Sequence, residues 1–219
     1  MFGFLNIDKP LGMTSHDVVA KARRKLGLKK IGHAGTLDPL ASGVLILCVG
    51  AATRMSEYVM DSTKRYRARV RLGIVTTTYD AEGAIISEKD ASHITREDVE
   101  RALTPFLGNI EQVPPMYSAI KQGGVKLYDL ARAGETVERE PRPVRIDALT
   151  ITDWAAPEFS LEVTCSAGTY IRSLAYDLGD QLGVGAHLAG LTRLASGQFS
   201  LANAVTLDTF LQSDEPQSY

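Results

Sequence analysis

The sequence predicts an α+β fold, a mixed and largely antiparallel sheet flanked by helices, and three observations carry that expectation. Residues Lys64–Gly73 alternate apolar and basic side chains with the two-residue period of a half-buried strand. Two segments that open on Thr, one over His16–Leu26 and one from Thr95 to Phe106, carry apolar residues three and four apart, as amphipathic helices do. Strands and helices then mix without the strict βαβ order of a parallel sheet.

Taken in order, Phe2–Ile7 reads as a strand that ends in the turn Lys9-Pro10-Leu11-Gly12. Thr14 or Ser15 caps a helix over His16–Leu26, and Gly27 stops it. Val18, Val19, Ala22 and Leu26 form its apolar side, with Lys21, Arg24 and Lys25 outward. Ile31–Ser42 holds two glycines and a proline, has no clean period, and is expected to be a loop. The apolar run Gly43–Gly50 follows as a buried strand, and Ala52–Met60 as a helix. In the next strand Tyr66, Ala68, Val70 and Leu72 face a core, while Arg65, Arg67, Arg69 and Arg71 share the opposite face.

Thr95, with Asp98 at the capping-box position, opens the helix that reaches Phe106. Pro114, Pro115 and Gly123-Gly124 punctuate a hairpin whose first strand is Tyr117–Lys121. Leu127–Ala133 is expected to be a helical turn ended by Gly134, and Val144–Trp154 and Phe159–Ser166 to be strands. Gly168–Leu182 reads as a helix stopped by Gly183, and Leu188–Leu194 as a strand. The polar end, Ser213–Tyr219, is expected to fray.

Composition narrows the function classes. The apolar fraction of 44% and charged fraction of 23% are those of a globular chain. No apolar run approaches the roughly 18 residues that cross a bilayer. Phe2 onward lacks the basic start of a secretory signal. Cys48 and Cys165 lie in apolar runs without metal-ligand spacing, which fits core thiols of a cytoplasmic protein better than the alternative, a disulfide pair. The net charge of −2 conceals an asymmetry: residues 1–75 hold 13 Lys/Arg against 5 Asp/Glu, and the remainder 11 against 21. Basic side chains cluster between Lys21 and Lys30 and between Lys64 and Arg71, and such local fields recruit a polyanion whatever the total. A pair of solvated faces is the alternative.

Chemistry concentrates in the loop around Asp38. Small residues there let a large ligand approach the backbone, and Pro39 pushes Asp38 toward an extended conformation. A carboxylate held on such an arm can act as nucleophile or base, or can merely bond nearby backbone in an Asx turn. Ser118-Ala119-Ile120-Lys121 fits the S-x-x-K pattern of some hydrolases, but in an expected strand and without the accompanying motifs. His16, His33, His93 and His187 show no metal-ligand spacing, so no metal is expected.

The run Gly32-His33-Ala34-Gly35-Thr36-Leu37-Asp38-Pro39-Leu40-Ala41-Ser42-Gly43-Val44-Leu45 resembles the signature of the TruB family of tRNA pseudouridine synthases. Further blocks match in order: Asp8–Ser15, Lys64-Arg65-Tyr66, Gly168–Leu174, and Gly185–Leu188 with Leu191–Leu194. The resemblance spans residues 3–200. It implies a pseudouridine synthase catalytic domain over residues 1–200, with residues 201–219 a short tail without the complete PUA-type RNA-binding domain common in bacterial members. It also implies isomerisation of a uridine in the tRNA T loop, position 55, by a monomer that needs no cofactor.

Residue by residue, Asp38 matches the essential aspartate, which attacks either the base or the ribose anomeric carbon, and Arg172 the arginine that pairs with it. Tyr66 matches the aromatic that stacks on the base, and His33 the histidine that enters the T loop. Tyr170 and Leu191 match residues that line the uracil pocket, Asp80 a polar residue near the substrate, and Lys9 a lysine that supports the active-site loop. The basic faces add Lys21, Arg24, Lys25, Lys64, Arg65 and Arg67 as expected contacts to the RNA backbone. A non-catalytic RNA-binding module on the same scaffold is the rival reading; it leaves the Asp38–Arg172 pairing without purpose.

Overall fold

The computed structural model describes residues 2–213; the remainder of the tail expected to fray, residues 214–219, lies outside the described residues. The first elements are β1 (Gly3–Lys9), α1 (Ser15–Leu26), β2 (Ile31–Ala34), β3 (Ala41–Val49), α2 (Ser56–Met60) and β4 (Lys64–Leu72). There follow β5 (Ile74–Thr76), β6 (Ile85–Glu88), α3 (Arg96–Leu103), β7 (Gly108–Gln112), β8 (Lys121–Gln122), β9 (Val125–Lys126) and α4 (Leu127–Arg132). The last are β10 (Arg142–Ala155), β11 (Glu158–Cys165), α5 (Ile171–Gln181), β12 (Ala186–Ser196), β13 (Phe199–Ser200), β14 (Val205–Thr206) and α6 (Leu207–Gln212). The fold is α+β, as the sequence predicts. The chain divides into two compact units, Met1–Arg67 with Leu191–Tyr219, and Ala68–Gly190, so the boundaries fall inside β4 and β12.

In the first unit β3 is the central strand, buried along almost its whole length. One edge pairs antiparallel with β1, from Gly3 opposite Val49 to Lys9 opposite Gly43. The other pairs parallel with β12 at Ala41–Gly43 and antiparallel with β2 at Ile46–Val49. β14 adds a short parallel partner to β1. Thr14 caps α1 in a reciprocal box with Asp17, and Gly27, in the left-handed conformation at φ 64°, ends it. Val18, Val19 and Ala22 are buried on the inner side of α1, against which α6 packs with buried Leu207 and Phe210.

Two expectations are corrected here. Ile31–Ser42 is a loop only in its middle, because Ile31–Ala34 forms β2 with Ile31 and Ala34 buried. The open edge of β3 supplies ladder partners that outweigh the glycine at position 32. The helix expected over Ala52–Met60 is a 3₁₀ helix over Gly50–Met55 before it becomes α2, since Thr53 turns its hydroxyl onto the Gly50 carbonyl at 2.8 Å.

In the second unit β10 lies between β11 and β7, both antiparallel to it. Phe159, Leu161 and Val163 of β11 and Leu174, Ala175 and Leu178 of α5 are buried. α3 packs on α5 and β10 and carries its own capping box, Thr95 with Asp98. β5 with β6, and β8 with β9, form two small hairpins.

The hairpin expected near Gly123-Gly124 exists, but its first strand is only Lys121–Gln122. Backbone groups of the expected Tyr117–Ile120 strand are taken elsewhere: the Ser118 and Ile120 carbonyls accept amides of α4 residues, and the Tyr117 carbonyl accepts from Arg172. α5 starts at Ile171 rather than Gly168, because Gly168 has φ 83° and Gln112 holds the Tyr170 amide. Along β4 the even positions from Lys64 to Leu72 are buried and the four arginines exposed, as the alternation predicts.

Candidate active site

In the first unit, the arm that carries Asp38 is tied at the residues around it. Ser15, buried in the first turn of α1, donates to the Leu37 carbonyl at 3.0 Å and accepts the Leu37 amide at 2.8 Å. The Gly12 amide donates to the Pro39 carbonyl at 2.9 Å, and the Ala41 amide to the Asp38 carbonyl at 3.0 Å. Lys9, fully buried, donates its ammonium to the carbonyls of Pro10 and Met13 at 2.8 and 2.6 Å, which sets the turn from which Gly12 reaches Pro39.

Arg193 completes the arm. Only 1% exposed, it donates through Nε to the Val44 carbonyl at 2.7 Å, through Nη2 to Gly35 at 3.0 Å and through Nη1 to Thr36 at 3.5 Å. A guanidinium taken out of water is held only where its donors find acceptors, so this side chain dictates the path from Gly35 to Val44. The glycines make room for it. Gly43, at φ 97°, lies so close to β12 that a Cβ there would fall 2.3 Å from the Arg193 carbonyl oxygen.

Leu191 stands opposite Ala41 in the parallel pairing, where the arm runs into β3. His33 is half-buried on β2, edge-to-face with His16 at 5.3 Å between ring centroids. Burial first, then the charges of His16 and Arg193, hold its imidazole below the ordinary histidine pKa. Tyr66 is buried on the inner face of β4.

In the second unit the structure brings Arg172 and Asp80 together. Arg172, buried in the first turn of α5, places Nη1 3.4 Å from the Asp80 carboxylate and 3.4 Å from the Thr78 carbonyl, and donates through Nη2 to the Tyr117 carbonyl at 2.8 Å. Asp80 also accepts from the Thr78 hydroxyl and, at 3.1 Å, from the Glu82 amide. The start of α5 is fixed by Gln112, whose side chain accepts the Tyr170 amide at 2.7 Å and donates to the Tyr170 carbonyl at 3.0 Å.

Of the expected RNA contacts, Arg24, Arg65 and Arg67 are exposed, and Lys21 and Lys25 half-exposed. Lys64 differs. It is buried, its ammonium donating to the Met60 and Ser62 carbonyls, because it falls on the inner phase of the β4 alternation. Arg69 and Arg71 share Glu158, each at 3.4 Å. In the sequence Ser15 reads only as a candidate helix cap, and Arg193, Gln112 and Thr78 carry no assigned role. The one available signal was period: Arg193 is in phase with Leu191 on a strand, an inward position for a charged residue. Among the described residues no group of three His, Cys, Asp or Glu could hold a metal ion. No described helix is long and apolar enough to cross a membrane.

Comparison with known proteins gives consistent matches. The model of the TruB family pseudouridylate synthase N-terminal domain matches residues 23–171, and that of the tRNA pseudouridylate synthase B C-terminal domain residues 172–217. The chain is 57% identical over 209 residues to tRNA pseudouridine synthase B of Symbiobacterium thermophilum, covering 94% of this chain and 70% of that protein. To the protein of the same name from Pseudomonas aeruginosa it is 53% identical over 207 residues, covering 94% and 68%. Among solved structures, a chain of a Cbf5-Nop10-Gar1 complex superposes with a TM-score of 0.76 at 33% identity, covering 96% of this chain and 54% of that one. A chain of an H/ACA RNP bound to a substrate RNA containing 2′-deoxyuridine gives 0.72 at 29%, covering 96% and 52%. The protein therefore spans about half the length of those two chains.

Proposed function

The chain belongs to the TruB family of pseudouridylate synthases, and on that premise we propose that it isomerises uridine to pseudouridine in the T loop of tRNA, with Asp38 as the catalytic carboxylate. The observation that carries the proposal is the arm itself: a carboxylate whose neighbours from Gly35 to Ala41 are pinned by Ser15, Gly12 and Arg193. Pre-set geometry of this kind removes reorganisation from the reacting step.

In the reaction the C1′–N1 bond breaks, the uracil turns, and a C1′–C5 bond forms. C5 loses its proton and N1 gains one, so the sum is an isomerisation without a redox partner. Arg172 is the arginine that the family resemblance assigns as the partner of the catalytic carboxylate. Asp80 and Thr78 hold that guanidinium in turn. The target base leaves its stack, and Tyr66 stacks on it while Tyr170 and Leu191 line its pocket. His33 fills space in the opened loop; a neutral imidazole, which its lowered pKa favours, enters among bases without a charge to desolvate. Lys21, Arg24, Lys25, Arg65 and Arg67 contact phosphates of the T arm. The protein acts as a cytoplasmic monomer.

The test is to incubate the protein with unmodified tRNA transcript and map pseudouridine by carbodiimide labelling. Product is expected at one T-loop uridine. Asp38→Asn should abolish product while tRNA affinity stays within a few-fold, and Arg172→Ala should also abolish turnover. Binding without product from the unaltered chain would leave only an RNA-binding module.

A further inference from the structure

The segment Thr76–Glu82 holds a backbone conformation that its sequence resists. Tyr79 has φ 64°, in the left-handed region, and is the one non-glycine residue with positive φ among the described residues. An aromatic residue keeps that conformation only where its surroundings impose it, and such residues gather at functional sites. Here the surroundings are visible. The half-buried Tyr79 ring stacks on Tyr176, with centroids 4.0 Å apart and planes 21° from parallel. The Tyr79 carbonyl accepts the Leu188 amide at 3.0 Å, and the Ala81 amide donates to the Leu188 carbonyl at 3.0 Å. Gly83 leaves the turn its room, since a Cβ there would fall 2.4 Å from the Thr78 hydroxyl oxygen.

The neighbours of Tyr79 in sequence are the two residues that hold Arg172: Thr78 through its carbonyl and Asp80 through its carboxylate. On α5, Tyr176 follows Arg172 by four residues, one turn along the same face. Residues 78–80 therefore lie along α5 with one anchor at position 172 and a second at 176. The ion pair at 3.4 Å and the Leu188 pairing hold the loop through Asp80 and through its backbone. A stacked ring pair one turn away fixes its direction as well.

We propose that the Tyr79–Tyr176 stack is a positioning clamp, which sets Thr78 and Asp80 against Arg172 and so fixes the guanidinium used in the isomerisation. Both tyrosines act through Arg172. The clamp rests on the proposed role of Arg172, so its test combines turnover with a readout that needs no turnover. The full chain is compared with Tyr79→Phe, Tyr79→Gly, Tyr176→Ala and the double variant Tyr79→Gly with Tyr176→Ala. Each is assayed for kcat and KM on tRNA transcript, and for hydrogen exchange at the Ala81 and Glu82 amides.

Tyr79→Phe keeps the ring but loses the hydroxyl that interacts with Tyr176, and should stay within about two-fold of the unaltered protein in both readouts. Tyr79→Gly relieves the backbone but removes the ring, and should lower kcat about 10- to 100-fold with KM little changed, the scale at which a small misplacement acts. Tyr176→Ala should do the same, and the double variant should be no worse than either single one. Exchange at the two amides should accelerate in the variants without a ring pair while global unfolding temperature holds.

Unchanged kcat and unchanged exchange in Tyr79→Gly would overturn the clamp and leave the isomerase reading intact. An unaltered chain that makes no pseudouridine would sink the isomerase reading instead, and the exchange data would still decide whether the stack holds the loop. Should the glycine variant fail to fold, Tyr176→Ala with Tyr176→Phe as its ring-preserving control decides alone.

Discussion

Arg193 gives up its hydration for the carbonyl oxygens of Gly35, Thr36 and Val44, and those oxygens depend on it in return. Arg193→Met should leave the buried Val44 carbonyl bare, at about 1–3 kcal/mol, and take the donor from the less buried Gly35 and Thr36 carbonyls. At the low end of that cost, thermal unfolding should fall by about 2–4 °C for a chain of this size. Arg193→Lys should recover little, because an ammonium lacks the planar fork. Asp177 gives a prediction of opposite sign. Burial first, then the charge of Asp180, raises its carboxyl from 3.8 to about 6. The folded state therefore binds the proton more tightly, a contribution fully present below pH 3.8 and lost as pH rises through about 6. Asp177→Asn should raise the unfolding temperature at pH 7.5, change little at pH 4, and flatten the decline between them. A variant equally stabilised at both pH values would refute this assignment. At this scale Asp38 was legible because its signals are contiguous, two glycines before it and a proline after. Arg193 and Ser15 were not, because what they do depends on carbonyls 149–158 and 22 residues away.

Elements were legible where a local rule decides them. The capping box of Thr95 with Asp98 and the alternation along β4 depend on side chains a few residues apart, and both appear as expected. β2 and the late start of α5 depend on distant partners, the edge of β3 and the side chain of Gln112, which no local period encodes. Glycines separate the two regimes. Gly27 also has positive φ but faces open space, so Gly27→Ala should cost about 1 kcal/mol, the ordinary penalty of a left-handed cap. Gly43→Ala must instead push a methyl into the backbone of β12, 2.3 Å from an oxygen. It should break the parallel pairing at Leu191–Arg193, seen as loss of amide protection there and a much larger fall in unfolding temperature. Equal penalties at the two sites would show that the β3–β12 approach is looser than described.

Over the whole molecule, the sequence separates basic from acidic residues, 13 Lys/Arg against 5 Asp/Glu in residues 1–75. The exposed arginines of β4 divide further, since Arg69 and Arg71 share Glu158. Affinity for tRNA should therefore fall steeply with salt. Arg65→Ala should reduce the log–log slope by about 1, as loss of one phosphate contact does. Arg71→Ala should change it less; equal slopes for the two variants would argue that Glu158 releases its partners to the RNA.

The first unit is assembled from both ends of the chain, with β12 and β14 bringing late residues to β3 and β1. During synthesis the ribosome delivers β1 and β3 long before their last neighbours, and the contiguous stretch Ala68–Gly190 emerges in between. A nascent chain should thus acquire protease resistance in its middle first, while the strand that follows the Asp38 arm waits with one edge incomplete. Closure of the β3 edge then waits for residues made after the middle of the chain, and any pause near Gly190 prolongs the period in which an apolar strand is open to wrong partners.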